Sequence, residues 1–284
     1  MLVFGTRPEA IKMAPVYHAL RDSSDFQTIV CVTAQHRQML DQVLKAFEVE
    51  PDIDLDLMKP GQDLFDITTS VLLGMRDVFR LHRPDVVLVH GDTTTTLATS
   101  MAAFYEGVPV GHVEAGLRTR DVYAPFPEEF NRQVTSKVTR WHFAPTRFSK
   151  QNLLAENVPD EHITVTGNTV IDALFWVLDR IESDRERRFV IVNFLNEHLA
   201  FDWRETRFVL VTGHRRENFG DGILQICEAI KEVAVRYPAV HFVYPVHLNP
   251  NVQRPVQQIL AGLDNVHLVD PLDYEPFVYL LKHS

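Results

Sequence analysis

The run Val86-Val-Leu-Val-His90 ends abruptly on Gly91-Asp92, and four threonines, Thr93 to Thr96, follow at once. Apolar, mostly β-branched residues in a row make a strand buried on both faces. Behind it, residues 93–105 carry apolar side chains at Leu97, Met101 and Phe104, the spacing of a helix. A strand with no polar face needs helices on both sides of its sheet, and the chain supplies them. Further strands are expected over 2–4, 28–33, 108–113, 141–144 and 163–165, and in the second half over 208–212, 240–245 and 266–269. Helical patterns lie over 37–47, 63–81, 127–139, 146–157, 222–237 and 252–260, with one more over 277–281. The first helix opens near Pro8, where a first turn tolerates proline, and takes Ala10, Ile11, Ala14 and Leu20 as its inner face. The stretch 182–207, charged and without a period, reads as an irregular surface segment.

Alternation of this kind is the pattern of doubly wound parallel α/β sheets, and 284 residues suffice for two of them. The expected division is an N-terminal domain over 1–167 and a C-terminal domain over 168–284. The second is short of strands, so it is expected to be incomplete at its C-terminal end.

A formal net charge of −10 speaks against a nucleic-acid partner, though not against an anionic small molecule held by a local basic cluster. No apolar run is long enough for a bilayer and no signal peptide is visible, so the expected location is the cytoplasm, away from membranes. Cys31 and Cys227 sit among apolar neighbours without metal spacing, as buried free thiols would. The first strand is not followed by GxGxxG, which removes the main support for a dinucleotide, and no HExxH-like spacing marks a metal. No cofactor and no metal are expected.

In open α/β sheets, ligands bind past the carboxyl ends of the strands. Arg7 and Lys12 follow the first strand, Asp92 the 86–90 strand, and Glu114 with Arg118 the 108–113 strand. The loop 123–127 leads into Glu128 and Glu129, with Asn131 and Arg132 one turn on. In the second half, His214 and Arg215 follow one strand, and His247 with Asn249 follow another. Each has a plain alternative: Asp92 can cap its helix, Lys12 and Arg132 can be solvated helix charges, and His214 can cap a turn. Their joint recurrence past strand ends in both halves points to a cleft between two α/β domains.

The residues also carry a family resemblance. Gly5-Thr-Arg-Pro-Glu-Ala-Ile-Lys-Met-Ala-Pro15, Thr33-Ala-Gln-His-Arg-Gln38, His90-Gly-Asp-Thr-Thr-Thr-Thr96, Gly111-His-Val-Glu-Ala-Gly-Leu-Arg118, Pro127-Glu-Glu-Phe-Asn-Arg132, Gly213-His-Arg-Arg-Glu-Asn218 and Tyr244-Pro-Val-His-Leu-Asn-Pro250 resemble, in order, the motifs of the non-hydrolysing UDP-N-acetylglucosamine 2-epimerases. The resemblance implies two Rossmann-like domains facing across a cleft, as in GT-B glycosyltransferases. It implies interconversion of UDP-N-acetylglucosamine and UDP-N-acetylmannosamine by a cytoplasmic homodimer that supplies cell-surface polysaccharide.

By the same resemblance, Asp92, Glu114, Glu128 and His214 match essential catalytic positions. Arg7, Lys12 and Phe277 match positions that contact the nucleotide or active centre, and Gln35, Gln38, Arg215 and His247 an activator site for a second UDP-sugar; Arg118 and Arg132, cations past the strand ends, are further candidates for binding the substrate. Three departures stand out. Gly61 replaces an Arg of the activator pocket, Leu272 replaces a common Gln near the uracil pocket, and the chain stops before a Ser-Gly-Gly diphosphate loop.

The chemistry explains the residue types. The hydrogen on carbon-2 has no neighbouring carbonyl, so no ordinary base removes it at neutral pH. Expelling UDP first leaves an oxocarbenium-like centre that acidifies it, with cations stabilising the diphosphate and carboxylates moving the proton. The intermediate is 2-acetamidoglucal, and re-addition of UDP with protonation on the other face inverts the carbon. Asp92, Glu114 and Glu128 are the candidates for the two faces. A hydrolysing epimerase, a GT-B glycosyltransferase and a non-catalytic nucleotide-sugar binder are the alternative readings.

Overall fold

The computed structural model describes residues 1–33, 37–57, 59, 61–213 and 221–284, with the backbone alone at 37–39. The chain forms two compact units, Met1–Trp176 and Val177–Ser284.

In the first unit strands and helices alternate: β1 (Leu2–Phe4), α1 (Arg7–Arg21), β2 (Val30–Val32), α2 (Arg37–Ala46), β3 (Ile53–Asp54), α3 (Leu64–His82), β4 (Val87–His90), α4 (Thr94–Tyr105), β5 (Val110–Val113), α5 (Glu128–Val138), β6 (Thr139–Ala144), α6 (Arg147–Ala155), β7 (Ile163–Val165) and α7 (Thr169–Ser183). The sheet order is β3-β2-β1-β4-β5-β6-β7, with every pairing parallel. The chain runs outward from β1 through β2 to β3, then returns to the other side of β1 as β4. The loops after β1 and β4 therefore diverge, and this is the crevice where such sheets place ligands. The core beneath is built from Val3, Cys31, Val87 and Val89 on the strands and from Met75, Phe79, Ala98 and Ala102 on α3 and α4.

Helix α1 turns inward a different set from the one its apolar pattern suggests: Glu9, Ala10, Met13, Ala14 and His18 are buried, while Ile11 and Leu20 are half-buried. His18 is held because its Nε2 meets the Phe47 carbonyl at 2.8 Å and its ring stacks on Trp176 at 4.6 Å. Trp176 also stacks on Phe47, at 5.4 Å. The division between the two compact units falls inside α7, after Trp176, against the expected division after residue 167.

The second unit continues with α8 (Arg185–His198), β8 (Phe208–Leu210), α9 (Asp221–Arg236), β9 (His241–Pro245), α10 (Pro250–Leu260), β10 (Val266–Val269) and α11 (Tyr274–His283). Its described strands form a parallel sheet in the order β10-β9-β8. The expected irregular segment over 182–207 is corrected here, since most of it is α8. Asp184 caps that helix by accepting from Glu186 N and Arg187 N, both at 3.0 Å. Ile191 and Leu195, one turn apart, are buried where α8 packs on α11, and Arg187 pairs with Glu275 of α11 at 2.9 Å. Two apolar residues make too narrow a stripe to register as a period.

Candidate active site

Asp92 is not the cap of its helix. The N-cap of α4 is Thr93, whose hydroxyl accepts from Thr96 N at 3.1 Å. The Asp92 carboxylate instead takes two hydrogen bonds from Arg132 through one oxygen, Oδ2, at 3.0 Å from Nε and 2.6 Å from Nη2. Asn131 Nδ2 donates to the Asp92 carbonyl at 2.8 Å, so consecutive residues of α5 fix both the backbone and the side chain of Asp92.

Glu114, just past β5, lies in the left-handed region at φ 64°, a conformation that non-glycine residues reach at a cost and that clusters at functional sites. Lys12 holds its carboxylate from α1, with Nζ 2.8 Å from Oε1 and 2.6 Å from Oε2. His90 Nε2 stands 3.7 Å from Oε2, beyond hydrogen-bond distance. Burial pushes the Glu114 carboxyl upward, but His90 and Lys12 outweigh it and bring it down to about 2. Glu128 opens α5 half-buried, with an Oε2 that is buried and has no hydrogen-bond partner among the described residues.

Glu129 is fully buried yet satisfied, accepting from Thr119 N, Arg120 N, Gln133 Nε2 and Arg132 Nη1 at 3.0–3.3 Å. Burial raises its carboxyl, but these donors together hold it below the usual carboxylate range. Arg132 thus spans Glu129 and Asp92, so this expected substrate contact is already committed to two carboxylates. The Arg118 side chain is 2% exposed and donates to Glu156, Ser136 Oγ and the Leu117 carbonyl, cross-linking the β5 end, α5 and the end of α6.

Arg7, at the first position of α1, is half-buried and makes no salt bridge among the described residues. In the second unit, Phe277 is half-buried in the first turn of α11, Leu272 is buried before it, and His247 is exposed past β9 with its Nδ1 accepting from Asn249 N at 3.1 Å. His214, Arg215 and Gln35 lie outside the described residues, as does the side chain of Gln38. Gly61 has a left-handed backbone, φ 78°. Among the described residues no cluster of His, Cys, Asp or Glu is arranged to hold a metal, and no helix is long and apolar enough to cross a membrane.

Two histidines are buried on β5 and β6. His112 on β5 is buried with Nε2 2.7 Å from the Gly91 carbonyl, and burial drives it down to about 3. His142, its neighbour on β6, is driven by burial to about 4. Because both take protons less readily folded than unfolded, the unfolded chain gains protons first as pH falls below about 6.5, and stability drains away toward pH 3. Glu114 adds to the loss below about pH 4.5, because its folded value is also the lower one. Urea midpoints of the wild type are expected to fall steadily between pH 7 and pH 4, and less steeply in His112→Gln; equal slopes would contradict this assignment.

The sheet and this cluster define the class: a doubly wound α/β protein with a carboxylate-rich site past its strand ends, Glu114 held by Lys12 and Asp92 by Arg132. Comparison with known proteins is more specific. A family model described as UDP-N-acetylglucosamine 2-epimerase matches residues 18–284. The chain is 58% identical over 284 residues to the UDP-N-acetylglucosamine 2-epimerase of Yersinia pestis, covering all of this chain and 74% of that one. Against the enzyme of Escherichia coli K12 it is 55% identical over 285 residues, covering 100% of this chain and 74% of the other. The crystal structure of UDP-GlcNAc 2-epimerase from Neisseria meningitidis bound to UDP-GlcNAc superposes with a TM-score of 0.89 at 52% identity, covering 100% of this chain and 75% of that one. The chain belongs to the UDP-N-acetylglucosamine 2-epimerase family.

Proposed function

We propose that this chain interconverts UDP-N-acetylglucosamine and UDP-N-acetylmannosamine by eliminating and re-adding UDP, with 2-acetamidoglucal held between the two steps. The observation that carries the reading is that Asp92 and the Lys12–Glu114 pair stand past the carboxyl ends of the neighbouring strands β4 and β5, with the half-buried Glu128 opening the helix that holds Asp92. Elimination needs a base for the carbon-2 proton and re-addition needs an acid on the other face, and separately fixed carboxylates supply both roles. Lys12 and Arg7 are the cations of this unit suited to the departing diphosphate, and His214 is proposed as a further catalytic residue on the family resemblance alone. The relative from Neisseria meningitidis, bound to UDP-GlcNAc, supports the choice of substrate. We take the acting form to be a cytoplasmic homodimer; the exposed Leu73 and Leu81 on α3, with Phe104 and Tyr105 on α4, support self-association.

Turnover in deuterated water tests the route. The product is expected to carry deuterium at carbon-2, read by mass spectrometry and proton NMR. Product that keeps its original hydrogen overturns the elimination, and release of free N-acetylmannosamine identifies the hydrolysing reaction instead.

A further inference from the structure

Sheets of this winding commonly place a ligand's phosphate at the crevice between the first strand and the strand that returns beside it, on the N-terminus of the first helix. In this chain the equivalent place is taken by Glu9. One carboxylate oxygen, Oε2, accepts from Gly5 N at 3.0 Å, Thr6 N at 2.8 Å and Thr6 Oγ1 at 2.8 Å, which closes the start of α1. The other oxygen, Oε1, reaches across the crevice to the loop after β4, accepting from Thr93 Oγ1 at 2.6 Å and lying 3.3 Å from Thr96 Oγ1. Thr96 in turn donates to the His90 carbonyl at 2.5 Å. The side chain is 1% exposed.

The neighbouring backbone is packed to suit: a Cβ on Gly5 would collide with the Thr33 hydroxyl, itself 3.1 Å from Thr95 Oγ1. A capping carboxylate needs only its first set of partners. The second set joins the helix that carries Lys12 to the turn that carries Asp92.

We propose that Glu9 is a positioning residue for the reaction: its carboxylate, seated at the winding reversal of the sheet, keeps Asp92 in register with the Lys12–Glu114 pair. The proposal rests on the epimerase reading above for its effect on turnover, while the tie itself is measured independently.

The test compares wild type, Glu9→Gln, Thr93→Val and the double variant. Gln keeps a carbonyl for the Gly5 and Thr6 amides but exchanges the charge-assisted bond to Thr93 for a weaker one. Glu9→Gln is expected to lower kcat roughly 10–100-fold with KM for UDP-N-acetylglucosamine and thermal midpoint nearly unchanged. Thr93→Val also removes the α4 cap, so it is read through the cycle: the double variant should lose no more kcat than the worse single one. Hydrogen exchange is the second readout, with faster exchange expected over 93–97 in Glu9→Gln and none gained over α3. Wild-type kcat in Glu9→Gln, strictly additive losses in the cycle, or unchanged exchange over 93–97 each overturn the proposal. If the wild type itself does not epimerise, the functional reading fails, and the exchange data alone decide whether Glu9 ties the two elements.

Discussion

Asp92→Asn is expected to cut epimerisation by roughly 10²–10⁴-fold while UDP still binds within a few-fold of wild type. The structure sharpens why. The substitution is nearly isosteric, and Asn131 still holds the residue-92 carbonyl, so the turn stays in place. What disappears is the anion that Arg132 grips through Nε and Nη2. Arg132 keeps Glu129 as a partner at 3.1 Å, which limits any collapse of the helix start. The loss should therefore appear in kcat, with little change in the thermal midpoint. Steady-state assays paired with calorimetry on UDP check it; unchanged kcat would remove Asp92 from the chemistry, and a parallel loss of UDP binding would recast it as a binding residue.

The largest expected loss of stability follows Gly116→Ala. Gly116 has φ 88°, and a Cβ there would overlap the Ser149 carbonyl at the start of α6. Backbone strain and overpacking against a main-chain atom each cost about 1–3 kcal/mol, so roughly 2–6 kcal/mol is expected together. That is a large share of the ~5–15 kcal/mol that holds typical domains. Gly167→Ala separates the two causes, because Gly167 has φ 84° with nothing within 4 Å of the added carbon. It should lose only the strain, about 1 kcal/mol by chemical denaturation. Equal losses at the two positions would show that packing against Ser149 is irrelevant.

The alternation of strands and helices was legible because each buried strand is a short apolar run closed by a turn residue. That Asp92 and Glu114 stand just past β4 and β5 was legible from where those apolar runs end. Glu9 was not. Thr6 and Glu9 stand at the spacing of a capping box, so the sequence holds a complete local explanation for that carboxylate, and its second oxygen is used by residues 84 and 87 positions away. Arg118 shows the converse. In sequence it is a cation past a strand end, as Lys12 is past β1, and what separates them is burial against Glu156 and Ser136, which depends on how α5 and α6 settle on the sheet. The α8 helix was hidden because Phe189 and Val190, exposed at 65% and 61%, blur the buried stripe of Ile191 and Leu195.

The occupied crevice has a consequence for redesign. An engineer converting the N-terminal unit into a redox-dinucleotide binder would first meet an internal tenant of the wrong sign, wired to five donors of two loops. Evicting it would leave those donors vacant and free the threonine turn to wander before any pyrophosphate arrived. In this unit the berth that such sheets offer a guest anion is masonry.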